Sequence, residues 1–122
     1  MGIWDPLRRF FRRMAESDEQ RYAEEIEAWA SQIPGTTRVG DAESRSRAKL
    51  AGVVRRITVR PLQGQESLEA LLYDGTGEMT VVWMGRRSIP GLTLGTRLIV
   101  EGMVGEQRSE RRIVNPTFEF SA

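Results

Sequence analysis

A chain of 122 residues has room for one compact core and little more. Eighteen Lys plus Arg against seventeen Asp plus Glu leave a formal charge of +1, so charge-driven binding must come from local patches rather than a field of one sign. Without Cys or His there are no disulfides, thiolate or imidazole metal ligands, Ser-His-Asp or Cys-His machinery, or histidine bases, which closes most routes to catalysis. The expectation is therefore a non-enzyme with no cofactor, no metal and no small-molecule substrate. A cysteine-free chain suits a reducing cytoplasm. No apolar run approaches the roughly 18 to 20 residues that span a bilayer, and arginines interrupt the start too early for a secretory signal, so a soluble or surface-associated cytoplasmic protein is expected.

Residues 1–34 read as an amphipathic helix. Leu7, Phe10, Phe11, Met14, Tyr22, Ile26, Trp29 and Ile33 fall mostly at spacings of three, four or eight, as one helical stripe requires. Asp5-Pro6 is a good start and Pro34-Gly35 a good stop, while polar residues from Glu16 to Glu19 mark a place where the helix is open to a break. Charge is segregated: Arg8, Arg9, Arg12 and Arg13 come first, then Glu16, Asp18, Glu19, Glu24, Glu25 and Glu27 with Arg21 alone offsetting them. The cations sit at the unfavourable end of the helix dipole, so helix stability does not explain them.

Residues 35–47 are small, polar and charged without a sustained period, and read as a linker. From Ala48 the period becomes two, with turn signals about every dozen residues, which predicts a β domain over 48–122. Its first strand, Lys49 to Leu62, carries apolar Leu50, Gly52 and Val54 on one parity and Ile57 and Val59 on the other. Keeping both halves inward requires a bulge near Arg55-Arg56. Further strands are expected over Ser67–Tyr73, Glu78–Met84, Thr96–Val104 and Glu110–Phe120, with Asp74-Gly75-Thr76-Gly77 as a tight turn and Pro116 as a ladder break. Five strands, the first long and bent, with a connector between the third and fourth, describe a mainly β protein: a five-stranded OB-fold barrel with an N-terminal α-helical extension.

The strand ending in Asp74-Gly75-Thr76-Gly77, the Val82-Trp83-Met84 run, the segment from Leu94-Gly95 to Glu101-Gly102 and the ending Asn115-Pro116-Thr117-Phe118-Glu119 carry a resemblance. Over about residues 48–120 the chain resembles nucleic-acid-binding OB domains, especially the wedge domain of RecG-type helicases and small actinobacterial OB proteins. The resemblance implies an OB fold and a nucleic-acid partner. There is no GxxxxGK[ST] anywhere, so it implies a stand-alone module rather than a motor.

An OB barrel usually binds single strands across its second and third strands, between the first hairpin and the loop joining strands four and five. Such a face needs cations for phosphates and flat rings for bases. The cationic supply is Arg55, Arg56, Arg60, Arg86, Arg87, Arg108, Arg111 and Arg112, and the candidate contacts are Arg55, Arg56, Tyr73, Trp83, Arg86, Arg87 and Arg112. Tyr73 shares the outward parity of Glu69, and either rim packing or base stacking fits it. Trp83 shares parity with Met79 and Val81, which points to the core, while its place near a strand end leaves a rim role open. Arg86-Arg87 reads either as a phosphate clamp or as a solvated pair. The hairpin loops hold no aromatic residue, so weak to moderate, salt-dependent binding is expected. Asp74 before Gly is a turn residue first.

Two functions fit. One is a non-catalytic binder of single-stranded or structured DNA or RNA in an accessory role. The other is an adaptor with a scaffold barrel, whose helix presents Leu7, Arg8, Phe10, Phe11, Arg12 and Met14 to a protein or membrane surface. The later half of the helix is expected to dock on the barrel.

Overall fold

The computed structural model describes residues 5–121; the first four residues of the 1–34 segment, and Ala122, lie outside the described residues. Helix α1 (Asp5–Ser31) is followed by a short 3-10 turn (Val39–Asp41), then β1 (Arg47–Leu62), β2 (Gln65–Tyr73), β3 (Glu78–Met84), β4 (Arg97–Gln107), β5 (Glu110–Val114) and β6 (Thr117–Ser121). Strand β1 serves both sides of the barrel. Its first half pairs with β4, from Arg47 opposite Met103 to Val53 opposite Arg97, and its second half pairs with β2 up to the Leu62–Gln65 end. The register slips between Val54 and Arg56, so Arg55 is the extra residue of a bulge, as the parity change predicts. Just before it, a Cβ on Gly52 would stand 2.7 Å from the Tyr73 carbonyl oxygen, so only glycine lets the two strands approach there.

The ring closes in the order β1-β2-β3-β5-β4 and back to β1, with β3 and β5 parallel and the other pairs antiparallel. This is an OB-fold barrel with an N-terminal helix. The expected last strand is two strands, both pairing with β4, which part at Asn115-Pro116. Asn115 takes a φ of +50°, and its side-chain Oδ1 accepts from the Met84 N–H at 2.9 Å, which satisfies the end of β3. Alternate residues fill the interior: Leu50, Val54, Leu68, Leu72, Met79, Val81, Leu98, Val100, Val104 and Ile113 are all essentially inaccessible, with Ile89 and Leu92 added from the β3–β4 connector.

Segment 35–47 departs from the linker expectation. Val39 and Ala42 are buried in the main core, and backbone bonds tie Thr37 to Lys49 (2.9 Å) and Arg45 to Val104 (2.7 Å). The segment is polar because most of its side chains face out. Two isolated apolar residues are enough to anchor it when its backbone donors find partners on the barrel.

Helix α1 runs unbroken through Glu16–Glu19. Polar residues there interrupt the apolar stripe but remain compatible with helical backbone, so the helix continues from an exposed first half into the half that is buried. Only the second half docks. Ile26 and Ala30 are buried, Ala30 clusters with Ala51 and Ile99 on the outside of the barrel beside Trp29 and Ile33, and the Arg97 guanidinium lies 4.9 Å from the centre of the Trp29 ring. Tyr22, expected in the docked face, stays exposed. The helix rests on the β2–β3 turn at Gly75 (φ +92°), where a Cβ would meet the Ala23 carbonyl oxygen at 2.4 Å.

Candidate nucleic-acid interface

Past the bulge, β1 places every second side chain on the outer face of a four-strand surface made with β2, β3 and β5. Cross-strand register lines up Arg56, Leu71, Thr80 and Arg112 on one rung and Thr58, Glu69, Val82 and Val114 on the next; Arg60, Ser67 and Met84 follow. Two hairpins border this surface. Gln63-Gly64 joins β1 to β2 and Arg108-Ser109 joins β4 to β5, both with positive φ at each central residue, the geometry of tight two-residue hairpins. Arg60, Pro61, Leu62, Arg108 and Arg112 line one depression, and Arg56, Thr58, Arg60 and Leu71 line its neighbour, so the two form a groove running between the hairpins.

The groove holds the guanidinium groups of Arg56, Arg60, Arg108 and Arg112 and the carboxylates of Glu69 and Glu110. Arg60 Nε forms an ion pair with Glu69 Oε2 at 2.9 Å, and the Glu69 side chain is only 15% exposed. Arg112 Nη2 lies 3.6 Å from Glu110 Oε2, while Glu110 Oε1 accepts from the Thr80 hydroxyl. Arg112 Nε is buried without an acceptor among the described residues, and Arg56 and Arg108 form no ion pair among them. Cations thus exceed anions on this face. No aromatic side chain lines it among the described residues.

The sequence candidates separate into four places. Arg56 and Arg112 share the groove. Arg55, displaced by the bulge, turns away: its guanidinium lies 4.2 Å above the Tyr73 ring and 3.9 Å from Glu19 of α1. One face of Tyr73 is therefore taken by the protein's own cation, at the end of β2 remote from the β1–β2 hairpin, and the tyrosine does not complete the groove. Trp83 is 3% exposed in the core and packs edge-on to Phe118 at 5.4 Å, so it leaves the set of candidate contacts: its inward parity prevails over its place near the strand end. Arg86 and Arg87 follow β3 beside the β1–β2 hairpin, where Arg87 Nε pairs with Glu66 at 2.9 Å. Arg111 is structural, donating to the Val39 and Ala42 carbonyls at 2.8 and 2.6 Å. The counter-charges Glu69 and Glu110 escape sequence reasoning. Their roles depend on which arginine the neighbouring strand sets opposite them.

Arg108 occupies a hairpin position with φ +54° that asparagine or glycine fills more easily. Arg108→Asn is expected to raise stability by about 0.5 kcal/mol while lowering the salt dependence of strand binding by about 0.7 in slope. Melting and binding measured on the same preparation check both signs. Unchanged binding would remove Arg108 from the interface.

No family model matches the sequence, and no curated relative matches it. Among solved structures, the chain is similar to one described as a Replication Protein A heterotrimer bound to ssDNA, with a TM-score of 0.51 and 18% identity over 75% of this chain and 69% of that one. At that identity the likeness shows the fold they share, an OB barrel.

Proposed function

We propose that this protein is a non-catalytic OB-fold module that binds single-stranded or structured DNA or RNA through the phosphate backbone, in an accessory role within the cytoplasm. The convergence of Arg56, Arg60, Arg108 and Arg112 on one groove carries this reading. The similarity to a protein captured with ssDNA supports it, as does the resemblance of residues 48–120 to the wedge of RecG-type helicases and to small actinobacterial OB proteins. Arg86 and Arg87 lie beside the first hairpin, where a strand leaving the groove would meet them. With no ring to stack on bases, binding is moderate to weak, tolerant of sequence and dominated by counterion release. Four phosphates neutralised on a single strand correspond to a salt slope of about −3. Titration of a labelled single strand at several salt concentrations tests this. Binding at low salt with a slope near that value is expected, and no binding at low salt, or binding indifferent to salt, would reject it.

A second reading makes the barrel a scaffold and gives the binding role to α1. One observation favours it: every residue from 6 to 16 is exposed.

A further inference from the structure

We propose that the first half of α1, from Asp5 to about Ala15, is a docking segment for an anionic membrane surface. The inference deepens the second reading and is independent of the groove. At about 100° per residue, Leu7, Phe10, Phe11 and Met14 form one stripe, and the docked residues Ile26 and Ala30 lie about a third of a turn away from it. The stripe is not an extension of the docked face. Phe10 is 57% and Phe11 61% exposed, their rings meeting edge-on at 5.8 Å. Two adjacent aromatic rings kept in water are a cost that contact with an apolar layer would remove.

Charge identifies the layer. Arg8 and Arg13 lie towards the two edges of the stripe and Arg9 and Arg12 behind it, with no acid between residues 6 and 15. Arginines beside the rings can reach lipid phosphates while the rings enter the acyl boundary, the arrangement of a helix lying in the interface. No helix among the described residues is long and apolar enough to cross a membrane, so the segment would lie on the surface. A second copy fits less well. Parallel pairing would set four arginines against four. Antiparallel pairing would press the stripe onto Asp18 and Glu25, which occupy the same side of the helix further along.

The test is co-sedimentation of the full chain with vesicles of equal parts phosphatidylcholine and phosphatidylglycerol, and with phosphatidylcholine alone. Binding to the mixed vesicles and little to the neutral ones is expected. Phe10→Ser with Phe11→Ser should reduce partitioning at least about tenfold, and Arg8→Gln with Arg13→Gln about fivefold for each charge removed. The melting temperature of these variants should not move, because the residues are exposed. Three results would overturn the proposal: no binding to anionic vesicles at low salt; binding insensitive to the Phe substitutions; or a dimer that those substitutions abolish in a chain that ignores vesicles. Arg60→Ala with Arg112→Ala should leave vesicle binding intact, and an equal loss there would assign the lipid contact to the groove instead.

Discussion

Asp74→Ala is expected to lower stability by about 3 kcal/mol, a fall of about 12 °C in Tm for a domain of this size. Asp74 is buried, and its carboxylate accepts four bonds: Oδ2 from the Val39 N–H at 2.8 Å, and Oδ1 from the Thr76 N–H (2.9 Å), the Thr76 hydroxyl (2.6 Å) and the Gly77 N–H (3.2 Å). Alanine would leave the donor of buried Val39 unpaired and release the turn that carries α1. Loss of the charged acceptor and of one buried partner together accounts for the magnitude. Asp74→Asn is expected to fall between. An amide oxygen can hold the Thr76 side, but its NH2 then faces the Val39 N–H, donor against donor. The effect should reach β5 as well, because Arg111 is fastened to the Val39 and Ala42 carbonyls. Thermal melts of the two variants check the order, and a wild-type Tm for Asp74→Ala would contradict the role given to the carboxylate.

The second large effect concerns strand binding and has two signs. Arg60→Ala with Arg112→Ala should weaken binding about tenfold or more at low salt and reduce the salt slope by about 1.4, since two phosphate partners are lost. Glu69→Gln should do the reverse. Glu69 is the half-sunken anion that holds Arg60 at 2.9 Å, and removing its charge keeps a hydrogen-bond acceptor while freeing the guanidinium for phosphate. Binding about fivefold tighter is expected, from about 1 kcal/mol of like-charge repulsion removed. A generally damaged barrel would weaken binding in both variants, so opposite signs separate electrostatics from misfolding. Tyr73→Ala should change binding little, because Arg55 already covers one face of that ring.

Local alternation carries more of this molecule than composition does. The parity slip after Val54 foretells the bulge because a strand with one buried side has no other way to keep both halves inward. The shared parity of Met79, Val81 and Trp83 likewise foretells a core tryptophan. What alternation misses is set by long-range partners. Val39 and Ala42 sit in a polar stretch with no period, and their burial depends on a carboxylate at Asp74 and a guanidinium at Arg111, both distant in sequence. The same holds in the groove. Arg55 and Arg56 are equivalent in the sequence, but the bulge sends one to Tyr73 and leaves the other on the rung of Arg112. In α1 the end of the apolar stripe marks where docking changes, not where the helix breaks, since Glu16 and Glu19 are as helical as leucine and Ser17 and Asp18 each cost less than about 0.7 kcal/mol relative to alanine.

On the proposed reading, the face of β1, β2, β3 and β5 between the two hairpins receives nucleic acid. Amide chemical shifts of the full chain, followed during titration with a short single strand at low salt, locate the contact residue by residue. Perturbations are expected at 56–60, 67–71, 80–82 and 108–114, with 7–14 and the Arg55–Tyr73 end of the barrel left quiet. Perturbations confined to α1 or to the Tyr73 end, with the groove unchanged, would contradict it.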